Sequence, residues 1–151
     1  MKRAATALLF GMLLVGSGDL AAQPIAAKTG QVVVDIVGLH SSDGRVFVAV
    51  WCGADGFPGE PKKACASKAA NAQKGRLRVV FEAVRAGELA VSMIHDENSN
   101  NTLDRNFLGI PKEGWGTSRD AKASFGPPSY SDARLTLSAG EKKQVVVHVQ
   151  Y

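Results

Sequence analysis

The sequence predicts an all-β protein, an antiparallel β-sandwich of about seven strands. Apolar and polar residues alternate in most segments, and short runs of Gly, Pro, Asn, Asp and Ser separate these segments. Only residues 61–73 (PKKACASKAANAQ) are compatible with a helical turn or two. Short alternating strands joined by hairpin turns are typical of two antiparallel sheets packed face to face.

The predicted strands follow one another with turns between most of them. They cover residues 31–39, 45–52, 76–84, 89–96, 133–139 and 144–151. The segments SSDG and AGE that precede the second and fourth strands are turns, because they combine Gly with polar residues. The second strand (RVFVAVWC) has valines on one face and Phe47, Ala49 and Trp51 on the other. We therefore expect both of its faces to be at least partly covered.

One long loop interrupts this pattern. Residues 96–131 cover about 36 positions without a convincing strand, and loops of that length are uncommon and usually functional. The loop is rich in Gly, Pro and aromatic residues, which restrict its path. Its aromatic side chains are expected to anchor it to the sandwich. These are Phe107, Trp115, Phe125 and Tyr130.

The first 27 residues have the order of a secretory signal peptide, and residues 28–151 form the single predicted domain. Lys2 and Arg3 precede an apolar run at 4–15, and small residues follow it. Cleavage is expected after Ala22 or Ala27. The apolar run is too short to span a bilayer, so no membrane span is predicted. The chain is therefore expected to be exported to the periplasm or the extracellular space.

The charge distribution bears on the partner class, and the cysteine content bears on the cross-links of the fold. Removal of the signal leaves 16 basic and 13 acidic residues, scattered without a basic stripe, so nucleic acid is not an expected partner. Cys52 and Cys65 are the only cysteines of an exported chain, and disulfides persist outside the cytoplasm. We expect them to be bonded to each other, which stabilises the fold by roughly 3 kcal/mol in the chain-entropy model.

The stretch HDENSNNTLD (95–104) has the spacing of half a calcium loop. Its candidate oxygen ligands are Asp96, Asn98, Asn100, Thr102 and Asp104. Asn101 stands where such loops need a residue with positive φ, and Phe107 stands where they have a bidentate Glu. Two interpretations stay open: a weak calcium site of the millimolar class, or an Asx-rich turn whose side chains bond its own backbone.

Catalytic and carbohydrate-binding interpretations depend on neighbouring residues. His95 and Asp96 suggest a base with its orienting partner, and Glu113 would complete a small hydrolase site. Adjacent residues of a strand point to opposite faces, however, and the sequence has no nucleophile-elbow motif. Trp115 and Tyr130 would stack on sugars in a carbohydrate-binding module, or would only hold the loop in place.

The segment IHDENSNNTLDRNFLGIPKEGWGTSRDA and the following FGPPSYSDARLTL resemble a bacterial family of domains of unknown function, DUF2141. The resemblance extends from about Val32 to the end and departs from the family pattern at Asn101 and Thr117. It implies a small secreted sandwich of the immunoglobulin-like or transthyretin-like kind, without an established activity.

The favoured function is an exported, non-enzymatic binding or structural module of unidentified ligand. Its recognition surface is expected at His95, Glu113, Trp115 and Tyr130, with residues 105–131 contacting a protein or glycan partner. Calcium is the only cofactor that the sequence suggests. The alternatives are a secreted hydrolase and a carbohydrate-binding module. The non-enzymatic module is favoured over the hydrolase because no set of nucleophile, base and orienting residue is visible in the sequence.

Overall fold

A computed structural model describes residues 28–151 of the chain, so the predicted signal peptide and its cleavage site lie outside the described residues. The described part has eight strands, and it confirms the all-β class. They are β1 (Thr29–Leu39), β2 (Arg45–Trp51), β3 (Ala66–Asn71), β4 (Gly75–Arg85), β5 (Gly87–Asp96), β6 (Gly114–Thr117), β7 (Leu135–Leu137) and β8 (Lys142–His148). Short 3-10 turns lie at Pro61–Lys63 and Ser118–Asp120, and one helix, α1, covers Tyr130–Ala133.

The strands form two sheets, as the sandwich prediction requires. The smaller sheet has the order β4-β1-β8, and the larger has the order β3-β2-β5-β6, with β7 also paired to β5. Every pair is antiparallel except β1 with β8, which is parallel. This exception arises because the chain pairs β7 with the larger sheet and then crosses to the edge of the smaller one.

The core lies between the two sheets and follows from the alternation in the sequence. Successive strand residues point to opposite faces, so every second residue of each central strand faces the core. All the strands but β3 and β6 contribute a buried member to this core, and most members are less than 5 % exposed. Each fully buried apolar side chain of this size stabilises the fold by about 1.5–3 kcal/mol.

A second apolar cluster lies on the outer face of the larger sheet. Ala49 and Trp51 of β2 pack there with Ala90, Ala121 and Ala133. The side chains of Phe57, Ala64 and Tyr130 pack against this cluster. The prediction that both faces of β2 are covered is therefore confirmed, and the cover comes from loops on the outer side.

The structure corrects the expected helical segment at 61–73. Helical geometry is limited to the 3-10 turn at Pro61–Lys63, and Ala66–Asn71 form the edge strand β3, paired antiparallel with β2. The Ala-rich and Lys-rich composition favours a helix locally, but propensity is a weak preference that tertiary contacts override. Here the contacts are the backbone hydrogen bonds to β2, which the disulfide brings within reach from its position just before β3.

The structure also corrects the long strandless segment at 96–131. Strand β6 divides it into a first loop at 97–113 and a second loop at 118–129, and α1 begins at Tyr130. Strand β6 has the sequence GWGT, and because its two glycines have no side chains, it lacks the alternation of apolar and polar residues by which strands are predicted. Within the described range, no helix is long and apolar enough to cross a membrane.

Candidate functional site

The outer face of the larger sheet forms the floor of a wide groove, which we call the sheet groove. Phe47, Ile94 and Trp115 lie opposite one another on β2, β5 and β6 and form one apolar row across this floor. The next row contains Ala49, Ser92 and Thr117. The Phe47, Ile94 and Trp115 side chains are half-buried, so this floor is only partly covered by the loops above it.

Three chain segments form the walls of the sheet groove. The first loop contributes one wall, the second loop another, and residues 58–61 next to the disulfide contribute the third. The principal wall residues are Leu103, Arg105, Leu108, Ile110, Phe125, Pro127 and Pro58. The groove has a volume of about 1190 Å³, somewhat above the roughly 300–1,000 Å³ of ordinary small-molecule sites.

The charges at the sheet groove are of one sign. Arg105 lines it, and the lining formed by the described residues contains no carboxylate. Lys68 also borders the groove, but its ammonium donates to the Val80 carbonyl and lies 5.5 Å from the ring of the core residue Phe81, away from the groove. A second cation, Arg45, lies with its guanidinium carbon 5.4 Å from the centre of the Phe47 ring. The groove is therefore apolar with a cationic rim, which suits an apolar ligand that carries an anionic or hydrogen-bond-accepting group.

Residues 96–104 form a turn that is held by its own side chains. The Asp96 carboxylate is fully buried and accepts the backbone N–H groups of Asn100 at 3.1 Å and Asn101 at 2.8 Å. The side-chain amides of Asn98 and Asn100 donate to the two oxygens of Asp104, at 2.6 and 3.0 Å. Asn101 has a φ of 65°, the positive value that the loop pattern predicted.

Thr102 and Glu113 complete this turn. The Thr102 backbone N–H and hydroxyl both donate to the Asn100 side-chain oxygen, at 2.9 and 2.8 Å. Glu113 is 5 % exposed, and its carboxylate accepts the backbone N–H groups of Glu97 and Asp104, at 3.1 and 3.0 Å. The carboxylate thus fastens both ends of the turn, a role that the sequence did not reveal.

The fit of the turn to a calcium ion is limited. Asn98, Asn100 and Asp104 bring their side chains together, as the spacing predicted. Calcium binding would, however, require the two amides to turn their oxygens toward the ion and to release Asp104. No group of three or more His, Cys, Asp or Glu residues in the range 28–151 is placed to hold a metal.

His95 and Tyr151 form a partly buried polar contact next to the turn. His95 is fully buried, with Nδ1 2.7 Å from the Tyr151 hydroxyl and Nε2 2.8 Å from the Asp43 carbonyl oxygen. The His40 ring stacks on Tyr151, with ring centres 3.6 Å apart. Burial raises the pKa of Tyr151, and its protonated hydroxyl can donate to His95. Both ring nitrogens of His95 are thus engaged in holding the fold.

Glu97 connects this polar contact to the exposed surface. Its Oε1 lies 2.7 Å from His40 Nε2 and accepts the Ser41 hydroxyl at 2.7 Å. Burial opposes the ionisation of Glu97, but the hydrogen bonds from Ser41 and His40 outweigh it and lower its pKa. The sequence alone does not reveal this group, because its contacts join distant positions: His40 is 57 positions from Glu97, and His95 is 56 positions from Tyr151.

The two expected stacking rings lie in different surroundings. Trp115 is on the floor of the sheet groove, whereas Tyr130 lines a smaller cleft of about 440 Å³ beside Cys52. The Tyr130 ring packs edge-on against Phe57, with centres 5.8 Å apart, and burial raises its pKa. Of the predicted surface, Trp115 lines the groove, His95 and Glu113 are buried, and Tyr130 lines the other cleft.

The disulfide between Cys52 and Cys65 is present, which confirms the pairing. It closes the loop after β2 and places that loop beside the sheet groove, since Pro58 and Pro61 line the groove. The sequence contained one sign of this face, the apolar Phe47, Ala49 and Trp51 of β2. The walls themselves come from segments distant in sequence.

Fold and site together define a small all-β sandwich with one disulfide, a turn stabilised by its own Asp and Asn side chains, and a loop-walled groove on one sheet. The chain belongs to the family described as uncharacterized protein conserved in bacteria, DUF2141, whose model matches residues 34–145. Searches of the curated proteins and of the solved structures found no significant match. The resemblance seen in the sequence is therefore confirmed.

Proposed function

We propose that this protein is an exported, non-enzymatic binding module that holds an apolar ligand in the sheet groove. The observation that carries this proposal is the groove of about 1190 Å³, with its apolar row Phe47, Ile94 and Trp115. Concave, mostly apolar surfaces with a few convergent polar groups are the usual form of ligand sites. Arg105 at the rim, with Arg45 beside Phe47, favours a ligand with an anionic group.

Export is the second part of this proposal. The N-terminal sequence has the order of a signal peptide, and the Cys52–Cys65 disulfide is of a kind that persists outside the cytoplasm. A ligand site built from loops on a disulfide-stabilised sandwich suits a protein that works outside the cytoplasm.

The binding proposal is tested with a fluorescent anionic probe, 1-anilinonaphthalene-8-sulfonate, added to the folded protein. Ile94→Asp places a charge on the groove floor, and Leu108→Asp places one on a wall whose side chain is already 68 % exposed. We expect each variant to weaken probe binding at least tenfold, because an apolar contact is replaced by a charge that repels the sulfonate. Val146→Asp is the matched control, since Val146 is 48 % exposed on the other sheet.

Two results decide the question, and a stability measurement accompanies them. Weak binding in both groove variants and unchanged binding in the Val146→Asp control support the groove. Equal binding in all four proteins would mean that the probe lies elsewhere and would overturn the proposal. Urea unfolding of each variant identifies any change due to instability, and Leu108→Asp serves as the deciding variant if Ile94→Asp does not fold.

The hydrolase alternative has little support from the geometry. His95 and Asp96 are fully buried, and their polar atoms bond to Tyr151 and to backbone groups of the fold. Glu113 accepts two backbone N–H groups. A candidate base must be able to reach a substrate proton, and these three residues face the interior. For the carbohydrate alternative, Trp115 is the one proposed stacking ring that lines the sheet groove, since Tyr130 lies in the other cleft.

We also propose that the turn at 96–104 binds calcium weakly. The convergence of Asn98, Asn100 and Asp104 supports this proposal. The affinity should be low, because the ion must displace hydrogen bonds that the turn already makes, and because Phe107 replaces the bidentate Glu of strong loops.

A further inference from the structure

Exposed apolar side chains are concentrated at the tips of the two loops beside the sheet groove. Six large apolar residues in the range 28–151 are exposed, and four of them lie in these loops. They are Phe107 at 95 %, Leu108 at 68 %, Ile110 at 55 % and Phe125 at 95 %. We call these four residues the tip surface. Single exposed apolar residues are ordinary, but a cluster of this kind marks an interaction site.

The first tip is held outward by polar contacts at its base. The Asn106 side-chain oxygen accepts the backbone N–H groups of Leu108 at 2.9 Å and Ile110 at 3.0 Å. The Asn106 N–H donates to the Ile110 carbonyl at 2.8 Å, and the Lys112 N–H donates to the Asp104 carbonyl at 2.8 Å. Residues 104–112 therefore form a closed hairpin, whose apolar tip stays exposed because its backbone is already fixed.

The charges next to the tips are mainly cationic on the exposed side. Arg105, Lys112, Arg119 and Lys122 are all exposed. Arg105 donates to the Gly109 carbonyl at 2.9 Å, which holds its guanidinium at the first tip. The neighbouring acids are already bonded within the fold: Glu113 is buried, Asp120 bonds His148 at 2.7 Å, and Asp104 accepts the amides of Asn98 and Asn100.

We infer that the tip surface docks on an anionic phospholipid bilayer. The phenylalanines would enter the boundary between headgroups and acyl chains, while Arg105, Lys112 and Lys122 contact the lipid headgroups. A projecting apolar tip with cations at its base suits a bilayer better than a protein partner, since protein interfaces are depleted in Lys and are built around buried pockets. Leu108, Ile110 and Phe125 also line the sheet groove, whereas Phe107 lies outside its lining, so Phe107 distinguishes this inference from the proposed function.

The inference is tested by flotation with phospholipid vesicles. The protein is produced from the full chain in an exporting bacterium, purified as the cell processes it, and mixed with phosphatidylcholine vesicles with or without phosphatidylglycerol. We expect binding to the anionic vesicles only. Phe107→Ser and Phe125→Ser should each weaken it about tenfold, and Lys112→Gln or Lys122→Gln about fivefold. Matched controls are Val146→Ser and Lys142→Gln on β8, which should leave binding unchanged.

Each remaining outcome has a defined meaning. Absence of flotation with anionic vesicles, or equal flotation of wild type and the double Phe107→Ser, Phe125→Ser variant, overturns the inference. A wild-type dimer that this double variant converts to monomer assigns the tips to a second copy and also overturns it. Probe binding by Phe107→Ser separates the two proposals: retained probe binding with lost flotation supports both sites, and Ile94→Asp should show the reverse.

Discussion

At the residue scale, the two glycines of β6 decide whether the larger sheet can gain its fourth strand. A methyl group on Gly116 would lie 2.6 Å from Val147 Cγ1 and 3.0 Å from the His148 carbonyl oxygen. A methyl group on Gly114 would lie 2.7 Å from side-chain atoms of Val149 and Tyr151. Strand β6 therefore packs against β8 and the residues after it only because both positions lack side chains.

We predict that Gly116→Ala destabilises the protein by about 1–3 kcal/mol, the cost of overpacking a filled interior. The clash involves a stiff β-branched side chain and a backbone carbonyl, neither of which moves readily. Urea unfolding measures the change. Gly53→Ala is the matched control, because a methyl group there meets nothing within 4 Å. Equal stabilities of the two variants would contradict this account.

A second residue-scale contact joins β1 to β4. The Arg78 guanidinium donates to both oxygens of Asp35, at 2.8 and 3.0 Å, and this hydrogen bonding lowers the pKa of Asp35. The Asp35 side chain is 8 % exposed, while that of Arg78 is 56 % exposed. Because Asp35 prefers its charged form in the fold, its contribution is complete above the ordinary pKa of 3.8 and is lost as pH falls through the folded value.

We predict that Asp35→Asn lowers the free energy of unfolding by about 1–2 kcal/mol at pH 7. This value is low for a charge-assisted hydrogen bond, because solvent screens the exposed Arg78 guanidinium. The difference from wild type should shrink from about pH 4 downward. Urea unfolding at several pH values provides the measurement. Glu88→Gln, in the exposed pair with Arg134, should change stability by less than about 1 kcal/mol. A difference for Asp35→Asn that is independent of pH would refute the linkage.

At the element scale, the turn at 96–104 shows how one strand ends and a wall of the groove begins. Strand β5 ends at Asp96, whose carboxylate captures the next backbone N–H groups, and Asn101 reverses the chain with positive φ. Glu113 then fastens the return of the first loop just before β6 begins. The turn thus sets where the walls of the sheet groove start.

We predict that calcium raises the melting temperature by a few degrees at most. With a Kd near 1 mM, about 10 mM calcium would add roughly 1.4 kcal/mol, and the amide rearrangement makes this an upper value. Asp104→Asn should reduce the shift because it removes a charge, whereas Asn101→Gly should preserve it because Gly reaches positive φ at less cost. Sodium chloride of equal ionic strength is the control. An unchanged melting temperature in wild type and Asn101→Gly would show that the stretch is only a turn.

At the scale of the whole molecule, one stretch of chain between β5 and β7 supplies most of the proposed binding surfaces. The sandwich core is built by the other strands, and the disulfide fastens the remaining groove wall. Loops carried on a rigid sandwich can change without loss of the core, which is why binding residues are frequently found on them. In both proposed surfaces, the loops therefore supply most of the binding residues, and the sandwich only holds these residues in position.

We predict that the exported form of the protein begins near Gln23 or Lys28. The positive residues, apolar run and small residues at 1–27 motivate this prediction. Mass spectrometry of a periplasmic or secreted fraction measures the start of the chain. Replacement of Leu13 and Leu14 by Asp should keep the protein in the cytoplasm, because the apolar run is interrupted. Soluble cytoplasmic protein that retains Met1 in the wild type would contradict export.

The sequence by itself determined the features that depend on local pattern or on residue identity. The period-2 alternation of β1, β2, β4 and β5 established the sandwich, because burying one face of a strand requires it. Two cysteines sufficed to predict the disulfide, and the Asp/Asn spacing sufficed to predict a turn with positive φ at Asn101. Each of these features depends on residue types within a short stretch of the sequence, the widest being the 13 positions between the two cysteines.

Only the tertiary structure decided the features that depend on contacts between distant segments. Strand β3 has the composition of a helix and becomes a strand because β2 supplies its hydrogen bonds. Strand β6 has too few side chains to form a pattern and becomes a strand because β5 supplies its hydrogen bonds, while β8 and the residues after it require its two glycines. The sequence placed His95 and Glu113 at the binding surface, whereas the fold buries both, His95 against Tyr151 and Glu113 against backbone N–H groups. The sheet groove exists for the same reason, since its floor and walls come from strands and loops that meet only after folding.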